Sequence, residues 1–374
     1  MTKVLETVVL IPTLHPDHLL TEYVDDLVAH GFAHILVVDD GSGSEYAPLF
    51  DDLRKKPGCE VIGYPVNIGK GYALKFGLLY VQMHYPDAAG VVTADSDGQH
   101  TAPDVLRVSL ALQEHPDDLI IGSRDFKAHN VPKKSRAGNR LTSFFFALLY
   151  GKWLSDTQSG LRGFSKDLIP FMLEVPGERF EYEMNMLITA SGRHIDFQVI
   201  TIQTIYIEEN RRSHFRPFRD SMLVYIQLFK NFFKYASASG LSTMLDILLF
   251  TLLDKCLLPL TGISPTQTVL WKISLQVLLA TAIARAVSAV FNYKANKAFV
   301  FQIEKSRGSF ARYFLLAVLV MAMSAGLVSG LHSWLGMDKT LLKAIVDTLL
   351  FFVNYRLQRS WVFADRSGER NLTP

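Results

Sequence analysis

The sequence has very few cysteines and no secretory leader in its first residues. Its 374 residues include only Cys59 and Cys256, which lie in different regions and indicate no disulfide framework, so cystine-stapled secreted scaffolds are excluded. The opening residues 1–6 lack an apolar run long enough for a signal peptide, and a strand-like segment follows directly. The front of the chain is therefore expected in the cytosol.

The sequence also lacks an excess of either charge and lacks the common nucleotide-binding loops. With 38 Lys and Arg against 36 Asp and Glu, the net charge is +2, and no nucleic-acid partner is expected. Pro12 occupies the turn where a Gly-x-Gly-x-x-Gly dinucleotide loop would follow the first strand, and there is no Gly-x-x-x-x-Gly-Lys-Ser/Thr loop. Rossmann-type dehydrogenases and P-loop enzymes are thereby excluded.

The composition divides the chain into two parts. Residues 1–220 have the scattered charges of a soluble protein, whereas long apolar runs dominate from about residue 236 and make the mean hydropathy positive despite 20% charged residues. In the first part short apolar strands alternate with helical segments, which predicts a mostly parallel α/β sheet. The predicted strands are Thr7–Ile11, His34–Val38, Glu60–Tyr64, Val91–Thr93, Leu119–Ser123 and Ile202–Ile207.

Polar residues collect directly after five of these strands. Because the carboxyl ends of parallel strands meet at one edge of a sheet, where ligands bind, we expect the five groups on one rim. They are Pro12-Thr13, Asp39-Asp40, Asn67 to Lys70, Asp95 to Gln99 and Ser123-Arg124.

The segment after the fourth strand, Asp95-Ser96-Asp97-Gly98-Gln99, has the chemistry of a metal site. Successive strand residues point to opposite faces, so two carboxylates spaced i, i+2 need the bend that Gly98 permits in order to converge on a ligand. A hard cation such as Mg²⁺ or Mn²⁺ would neutralise them and recruit substrate phosphates. We hypothesise a metal–diphosphate site; taken alone, the segment is more often a surface turn, and the rest of the chain has to decide between the two.

Several segments together resemble glycosyltransferase family 2, which has the GT-A fold. They are Ile11-Pro12-Thr13, Val37-Val38-Asp39-Asp40-Gly41-Ser42, Asn67-Ile68-Gly69-Lys70-Gly71 and Asp95-Ser96-Asp97-Gly98-Gln99-His100. The segment from Asp156 to Phe164 is similar to the polyprenyl-phosphate glycosyltransferases, the dolichol-phosphate mannose synthase group. The resemblance covers about residues 5–215.

The resemblance implies roles for individual residues. It assigns metal and diphosphate binding to Asp95, Asp97 and Gln99, with Asp97 also catalytic. The residues that it implies for nucleotide-sugar binding are Pro12, Thr13, Leu14, Asp39, Asp40, Lys70, Asp95, Ser96, Arg211 and Arg212. The family often has an acidic residue soon after the first strand, whereas this chain has Leu14-His15-Pro16-Asp17. Glu181 and Glu183 either compensate a helix dipole or border the sugar pocket.

Arginines on the second half of this domain are candidates for the acceptor side, because guanidinium groups fit phosphate oxygens. We expect Arg124, Arg136 and Arg216 to bind the acceptor phosphate, and Arg124, Arg136 and Arg140 to act in catalysis. Arg211, Arg212 and Arg216 are expected in a loop that closes over the diphosphate. A basic surface facing the membrane is the alternative interpretation.

The family implies a mechanism for these residues. A polyprenyl phosphate is already an anion and needs no general base, so the protein must align it and stabilise the leaving diphosphate. The resemblance implies inversion of the anomeric carbon, with undecaprenyl phosphate as acceptor and Mg²⁺ or Mn²⁺ as cofactor. The donor is expected to be UDP-GlcNAc, with UDP-glucose and then GDP-mannose as alternatives.

The second part reads as a membrane domain. Arg219–Phe233 has a broad apolar face at helical spacing, typical of a helix on the membrane surface. Four spans are predicted at about 236–258, 268–291, 312–335 and 341–361, each near the ~20 residues that cross a bilayer. Lys and Arg flank them on one side, which predicts that both termini and the front domain are cytosolic. The predicted domains are 1–215, a linker 216–234, 235–366 and a tail 367–374, and a homo-oligomer through the transmembrane domain is expected.

The membrane domain contains an internal repeat and resembles GtrA. Asn292-Tyr293-x-x-x-Lys297-x-Phe299-Val300-Phe301 recurs 62 residues later as Asn354-Tyr355-x-x-x-Arg359-x-Trp361-Val362-Phe363. The same offset relates Arg285 to Asp347, and intramembrane charges usually pair. We predict an Arg285–Asp347 ion pair, with Asp246 as a second partner; its role is either structural or the binding of a lipid headgroup.

Two other functions fit parts of the pattern. A processive polysaccharide synthase would require a Gln-x-x-Arg-Trp-type motif and a channel, and neither is found. A protein that binds or flips lipid-linked sugar with an inactive transferase domain is disfavoured by the intact Asp95, Asp97 and Gln99.

Overall fold

The computed structural model describes residues 6–126, 131, 133–203, 217–261, 274–302 and 308–363. The chain divides into two compact units, Met1–Leu228 and Phe229–Pro374. The boundary falls within a helix, α8 Pro217–Leu252, and within the segment 216–234 that the sequence assigns to a linker. The two units are described separately below.

The first unit is built on a seven-stranded sheet with the strand order β3-β2-β1-β4-β6-β5-β7. All paired strands are parallel except β6, which is antiparallel to both β4 and β5. The strands are β1 Thr7–Thr13, β2 His34–Asp40, β3 Cys59–Tyr64, β4 Gly90–Thr93, β5 Leu119–Arg124, β6 Arg162–Ser165 and β7 Phe197–Ile202.

Helices of the first unit connect these strands and cover the sheet. They are α1 His18–Ala29, α2 Ala47–Arg54, α3 Lys70–His84, α4 Ala102–Glu114, α5 Lys133–Tyr150, α6 Ile169–Glu174 and α7 Glu181–Gly192. The β1 strand is buried along its whole length, as is usual for a parallel strand covered on both faces. The mostly parallel α/β fold is confirmed.

Two elements differ from the sequence prediction. The last strand lies at Phe197–Ile202 rather than 202–207, of which residues 204–207 lie outside the described part. Helix α5 begins at Lys133 rather than Leu141, because the basic stretch before Leu141 continues the helix. It is amphipathic: Phe146 and Leu149 are buried, while Phe144 is exposed.

The carboxyl ends of β1 to β5 lie at one edge of the sheet. Strand β1 lies between β2 and β4, so the chain order reverses there, which is where α/β sheets bind ligands. Because β6 runs antiparallel, its first residue, Arg162, also lies at this edge. The polar groups predicted to share one rim are therefore brought to the same edge.

Within its described residues, the second unit is made of four long helices, which confirms the predicted number. They are α8 Pro217–Leu252, α10 Leu275–Ala295, α11 Ser309–Leu335 and α12 Lys339–Leu357, with a short α9 at Leu258–Leu260. Among the described residues, Leu275–Val300 and Ser309–Leu335 are long and apolar enough to cross a membrane by length and composition. The helices α10 and α12 each end in a π-helical turn, Asn296–Val300 and Gln358–Val362.

The internal repeat is visible in the contacts of this unit. Residues 62 positions apart meet each other: the Asn296 side-chain amide donates to Gln358 Oε1 at 3.1 Å, and Phe301 stacks on Phe363 with ring centroids 5.0 Å apart. Tyr293 also stacks on Phe363, and Tyr355 stacks in the equivalent way on Phe301. The two helical hairpins are thus related by an approximate two-fold axis.

The predicted Arg285–Asp347 ion pair is wrong. Arg285 Nη2 lies 3.5 Å from Asp246 Oδ2, the second partner considered. Asp347 instead accepts hydrogen bonds from Lys343 Nζ at 2.8 Å and Ser324 Oγ at 2.5 Å. Arg285 on α10 pairs with Asp246 on α8, and Asp347 on α12 pairs with Ser324 on α11, so each pairing stays within one helical hairpin. Asp246 and Ser324 lie at equivalent positions of the two hairpins, 78 residues apart.

Candidate active site

The segment after β4 makes the bend that the sequence predicts. Gly98 has a φ of +75°, and the Asp97 carboxylate accepts the backbone N–H of Gln99 at 3.1 Å. The backbone N–H of Asp95 donates to Nδ1 of the buried His100 at 3.0 Å. His100 thus fixes the position of Asp95, a role that sequence reasoning left unassigned. Ser96 and Gln99 are half-buried.

Lys70 lies beside the first carboxylate of this segment. Its ammonium is 2.5 Å from Asp95 Oδ1 and 2.9 Å from Glu183 Oε1. Burial by itself would raise the pKa of Asp95, but the charge and the hydrogen bond of Lys70 lower it to about 2. Burial would likewise lower the pKa of Lys70, but Asp95 and Glu183 raise it above its usual value. Both groups are therefore charged at neutral pH.

Asp97 has the opposite electrostatic environment. Burial and then the charge of Asp95 raise its pKa, and among the described residues no lysine, arginine or histidine forms an ion pair with it. A partly buried carboxylate without a cation, two residues from a second carboxylate, is the donor set that Mg²⁺ and Mn²⁺ accept. The residues present therefore fit a divalent cation held by Asp95, Asp97 and Gln99.

The fit requires ligands from outside these side chains. Within the part of the chain that the structure describes, there is no group of three or more His, Cys, Asp or Glu side chains that could hold a metal ion. Two carboxylates and one amide leave coordination positions for water or for phosphate oxygens of a substrate, which is the usual arrangement for Mg²⁺.

The aspartates after β2 have different surroundings. Asp40 is only 4% exposed, and its Oδ1 accepts hydrogen bonds from Tyr64 Oη at 2.7 Å and from the backbone N–H groups of Ile68 and Gly69 at 2.9 and 3.0 Å. It therefore fixes the loop that precedes α3. Asp39 is half-buried and accepts the Ser42 N–H at 2.8 Å. Nucleotide binding by either aspartate stays a prediction.

The end of β1 is buried, and partial exposure begins only after the strand. Pro12 and Thr13 are buried and Leu14 is half-buried. Asp17, the acidic residue nearest to the position expected in the family, caps α1 by accepting the Leu19 N–H at 2.9 Å.

Arg124 at the end of β5 is held by a carboxylate that the sequence prediction missed. Its Nε lies 2.7 Å from Asp156 Oδ2 and its Nη2 lies 3.2 Å from Asp156 Oδ1, a bidentate pair. The Asp156 side chain has no exposed surface, while Arg124 is 22% exposed. Asp156 belongs to the motif that supported the family resemblance, but the motif by itself does not indicate that this carboxylate pairs with Arg124.

The remaining predicted arginines stay predictions for the acceptor side. Arg136 and Arg140 are exposed on α5. Arg211, Arg212 and Arg216 lie outside the described residues.

Glu183 and Arg162 complete the charged group at this edge. Arg162 is 1% exposed, and its Nη1 donates to the backbone carbonyl of Glu183 at 2.6 Å. Of the two glutamates at the start of α7, Glu181 accepts the backbone N–H groups of residues 178 and 179. The Glu183 carboxylate instead contacts Lys70. Interaction with the start of the α7 helix therefore accounts for Glu181 but not for Glu183.

Comparison with known proteins finds a family match in each part of the chain. Residues 8–170 match Glycosyl transferase family 2, and residues 234–363 match the GtrA/DPMS transmembrane domain. An uncharacterized protein of Methanocaldococcus jannaschii is 30% identical over 207 residues, covering 54% of this chain and 83% of that protein. A Methanococcus voltae protein named UDP-N-acetylglucosamine--dolichyl-phosphate N-acetylglucosaminyltransferase is 29% identical over 218 residues, covering 53% of this chain and 85% of that protein.

Among solved structures, glucosyl-3-phosphoglycerate synthase from Mycobacterium tuberculosis superposes with a TM-score of 0.47 and 17% identity, covering 60% of this chain and 77% of that one. The two family matches fall on the two compositional parts of the chain. The second match begins at residue 234, close to the point where the long apolar runs begin. This chain is therefore a glycosyltransferase that belongs to family 2 and carries a GtrA/DPMS transmembrane domain.

Proposed function

We propose that this chain transfers a sugar from a nucleotide sugar to a polyprenyl phosphate. The observation that carries the proposal is the pair Asp95 and Asp97 at the switch point of the sheet, in a chain that also has a GtrA/DPMS transmembrane domain. The similarity to an enzyme named for transfer to dolichyl phosphate supports the lipid acceptor.

The donor would bind through its diphosphate. Asp95, Asp97 and Gln99 would hold Mg²⁺ or Mn²⁺, which when bound neutralises the charge that the leaving diphosphate develops. Asp97 is the catalytic carboxylate of this set. The half-buried Asp39 and Leu14 are proposed to contact the nucleoside, together with Pro12, Thr13, Asp40, Lys70 and Ser96. Arg211 and Arg212 are proposed to reach the diphosphate.

The acceptor needs alignment rather than deprotonation. Its phosphate is an anion at neutral pH, so attack on the anomeric carbon requires no general base, and direct displacement inverts that carbon. The bidentate pair with Asp156 orients Arg124, whose side chain remains partly exposed to receive a phosphate. Arg136, Arg140 and Arg216 are proposed as further acceptor-side cations.

UDP-GlcNAc is the proposed donor, with UDP-glucose and GDP-mannose as the alternatives. The name of the Methanococcus voltae relative supports GlcNAc. Product would be a polyprenyl-phosphate sugar for modification of cell-envelope glycans.

The proposed arrangement in the membrane follows the positive-inside rule. Residues 1–215 would form the cytosolic transferase domain, 216–234 an interfacial helix, and 235–366 four spans with both termini cytosolic. Oligomers would form through the spans.

The test uses the full chain purified in detergent. It is incubated with undecaprenyl phosphate, Mn²⁺ and radiolabelled UDP-GlcNAc, UDP-glucose or GDP-mannose in separate reactions, and the glycolipid product is extracted. We expect product from UDP-GlcNAc and at least a hundredfold less from the folded variant Asp97→Asn. The exposed surface variant Asp52→Asn serves as the matched control. Absence of product from all three donors would overturn the proposal.

A further inference from the structure

The ammonium of Lys70 occupies a position that conflicts with metal binding by Asp95. It lies 2.5 Å from Asp95 Oδ1, one of the oxygens proposed to bind a divalent cation. A metal ion on that carboxylate and an ammonium on the same carboxylate repel each other, so one must yield to the other. Glu183 offers the ammonium a second carboxylate at 2.9 Å.

The fold holds Lys70 between the two carboxylates. Lys70 is the first residue of α3, and the preceding Gly69, with φ +136°, packs so closely that a Cβ there would lie 2.5 Å from the Glu178 carbonyl. The Tyr72 N–H also donates to the Glu178 carbonyl, at 2.9 Å. The start of α3 is therefore fixed against the segment that leads into α7 and Glu183.

The three charged side chains are shielded but not sealed from solvent. Their exposed fractions are 19% for Lys70, 28% for Asp95 and 13% for Glu183. The lysine side chain has rotatable bonds that let its ammonium shift between two nearby carboxylates while its backbone stays in place. Arg162 donates a hydrogen bond to the backbone carbonyl of Glu183 and so fixes the backbone that carries the receiving carboxylate.

We propose that Lys70 is a displaceable counter-ion of Asp95, and that Glu183 is the positioning residue that receives its ammonium when a divalent cation binds. The inference rests on the metal site of the proposed function. Before metal binds, Lys70 neutralises Asp95. After metal binds, the ammonium remains paired with Glu183 next to the diphosphate site.

This arrangement predicts effects of opposite sign for two substitutions. In Glu183→Gln the ammonium has only Asp95 as a charged partner, so it competes more strongly with the metal. In Lys70→Met the competitor is gone. If Glu183 attracted the metal only through its charge, Glu183→Gln would weaken metal binding equally with or without Lys70.

The experiment measures Mn²⁺ binding to the full purified chain, without nucleotide or lipid, from the electron paramagnetic resonance signal of free Mn²⁺. We expect Glu183→Gln to bind Mn²⁺ about tenfold more weakly than wild type, as is typical when a residue supporting a metal ligand is lost. We expect Lys70→Met to bind Mn²⁺ more tightly than wild type, and Lys70→Met/Glu183→Gln to match Lys70→Met. The control Glu181→Gln, with the same charge change two residues away on α7, should match wild type.

The outcomes separate this inference from the proposed function. Unchanged affinity in Glu183→Gln, unchanged or weaker binding in Lys70→Met, or an equal loss on adding Glu183→Gln to Lys70→Met would each overturn the inference while leaving the metal site standing. If Glu183→Gln does not fold, Lys70→Met alone decides. If wild type does not bind Mn²⁺, or if its Mn²⁺ binding persists in Asp97→Asn, the metal site is overturned and the inference with it.

Discussion

A single carboxylate oxygen, Asp40 Oδ1, organises the loop in front of α3. It accepts two backbone N–H groups and one tyrosine hydroxyl while the side chain is almost fully buried. Buried donors that lose their acceptor cost about 1–3 kcal/mol each. The contribution of Asp40 to the site is therefore first of all structural, whatever it contacts in a bound nucleotide.

Asp40→Ala should expose the amides of Ile68 and Gly69 to solvent exchange. We expect hydrogen exchange of the peptide spanning residues 66–72 to accelerate by roughly tenfold or more, since about 1.4 kcal/mol corresponds to a factor of ten. Tyr64→Phe, which removes one donor and leaves the carboxylate in place, should change exchange much less. Unaltered protection in Asp40→Ala, measured by mass spectrometry on the full chain, would contradict this assignment.

The pair of Arg124 and Asp156 predicts an asymmetry between single and double substitutions. Arg124→Met leaves the Asp156 carboxylate, which has no exposed surface, with the backbone N–H groups of residues 124 and 158 as its hydrogen-bond donors among the described residues. Breaking a buried pair typically costs about 3–5 kcal/mol. We expect a clear fall in the thermal unfolding temperature for Arg124→Met and a partial recovery for Arg124→Met/Asp156→Asn. Equal unfolding temperatures of the single and double variants would show that the pair is not coupled.

At the level of elements, the start of α3 depends on a glycine. Gly69 has φ +136°, a conformation that L side chains rarely adopt, and a Cβ there would also meet Arg179 Cγ at 2.6 Å. Gly138, inside α5, has no atom within 4 Å of the same added Cβ. The two glycines therefore predict opposite results for the same substitution.

Gly69→Ala should destabilise the first unit by about 2 kcal/mol or more, from backbone strain and overpacking combined. Gly138→Ala should instead stabilise it by roughly 0.5–1 kcal/mol, because alanine is the better helix former at an open helical position. Thermal unfolding of the two variants in parallel provides the measurement. A stabilised Gly69→Ala would contradict the close packing of α3 on the segment before α7.

Sequence patterns predicted the strands β1 to β5 well but misplaced β7, because strands buried on both faces are continuous apolar runs that end in polar turns, whereas β7 is mostly only partly buried. The same reasoning missed β6, which has only four residues, Arg162–Ser165, and begins with an arginine. It also missed the contact of Lys70 with Glu183, since no local pattern indicates which of two neighbouring glutamates faces a distant lysine. Pairings across the sheet edge are set by tertiary packing, and a single sequence does not contain that information.

The corrected intramembrane pair makes a prediction about coupling in the helical unit. Arg285 contacts Asp246, and Ser288 Oγ also donates to Asp246 at 3.1 Å. Arg285→Met and Asp246→Asn should therefore show a coupling energy in detergent unfolding of about 0.5–1.5 kcal/mol, the range of polar pairs between membrane helices. Arg285→Met and Asp347→Asn, which share no contact, should be additive within about 0.5 kcal/mol. Coupling of Arg285 to Asp347 instead would restore the pairing first predicted from the repeat.

At the scale of the whole molecule, the two cysteines differ in a way that makes one of them a reporter of membrane topology. Cys59 is buried, and burial raises the pKa of its thiol to about 11, so it is both shielded and protonated at neutral pH. Cys256 is exposed and lies beside the charged residues Asp254 and Lys255, near the end of the first predicted span. In the proposed topology, that end of the span faces away from the cytosol.

A membrane-impermeant maleimide should therefore label Cys256 in intact cells that produce the chain. Labelling should disappear in Cys256→Ser, since the buried Cys59 reacts slowly. In the Cys256→Ser background, Asp52→Cys on the exposed surface of α2 should be labelled only after the cells are lysed, because residues 1–215 are proposed to be cytosolic. Labelling of Cys256 only after lysis would show that the first span does not place this residue outside, and the positive-inside assignment of Lys and Arg flanking the spans would then be wrong for this chain.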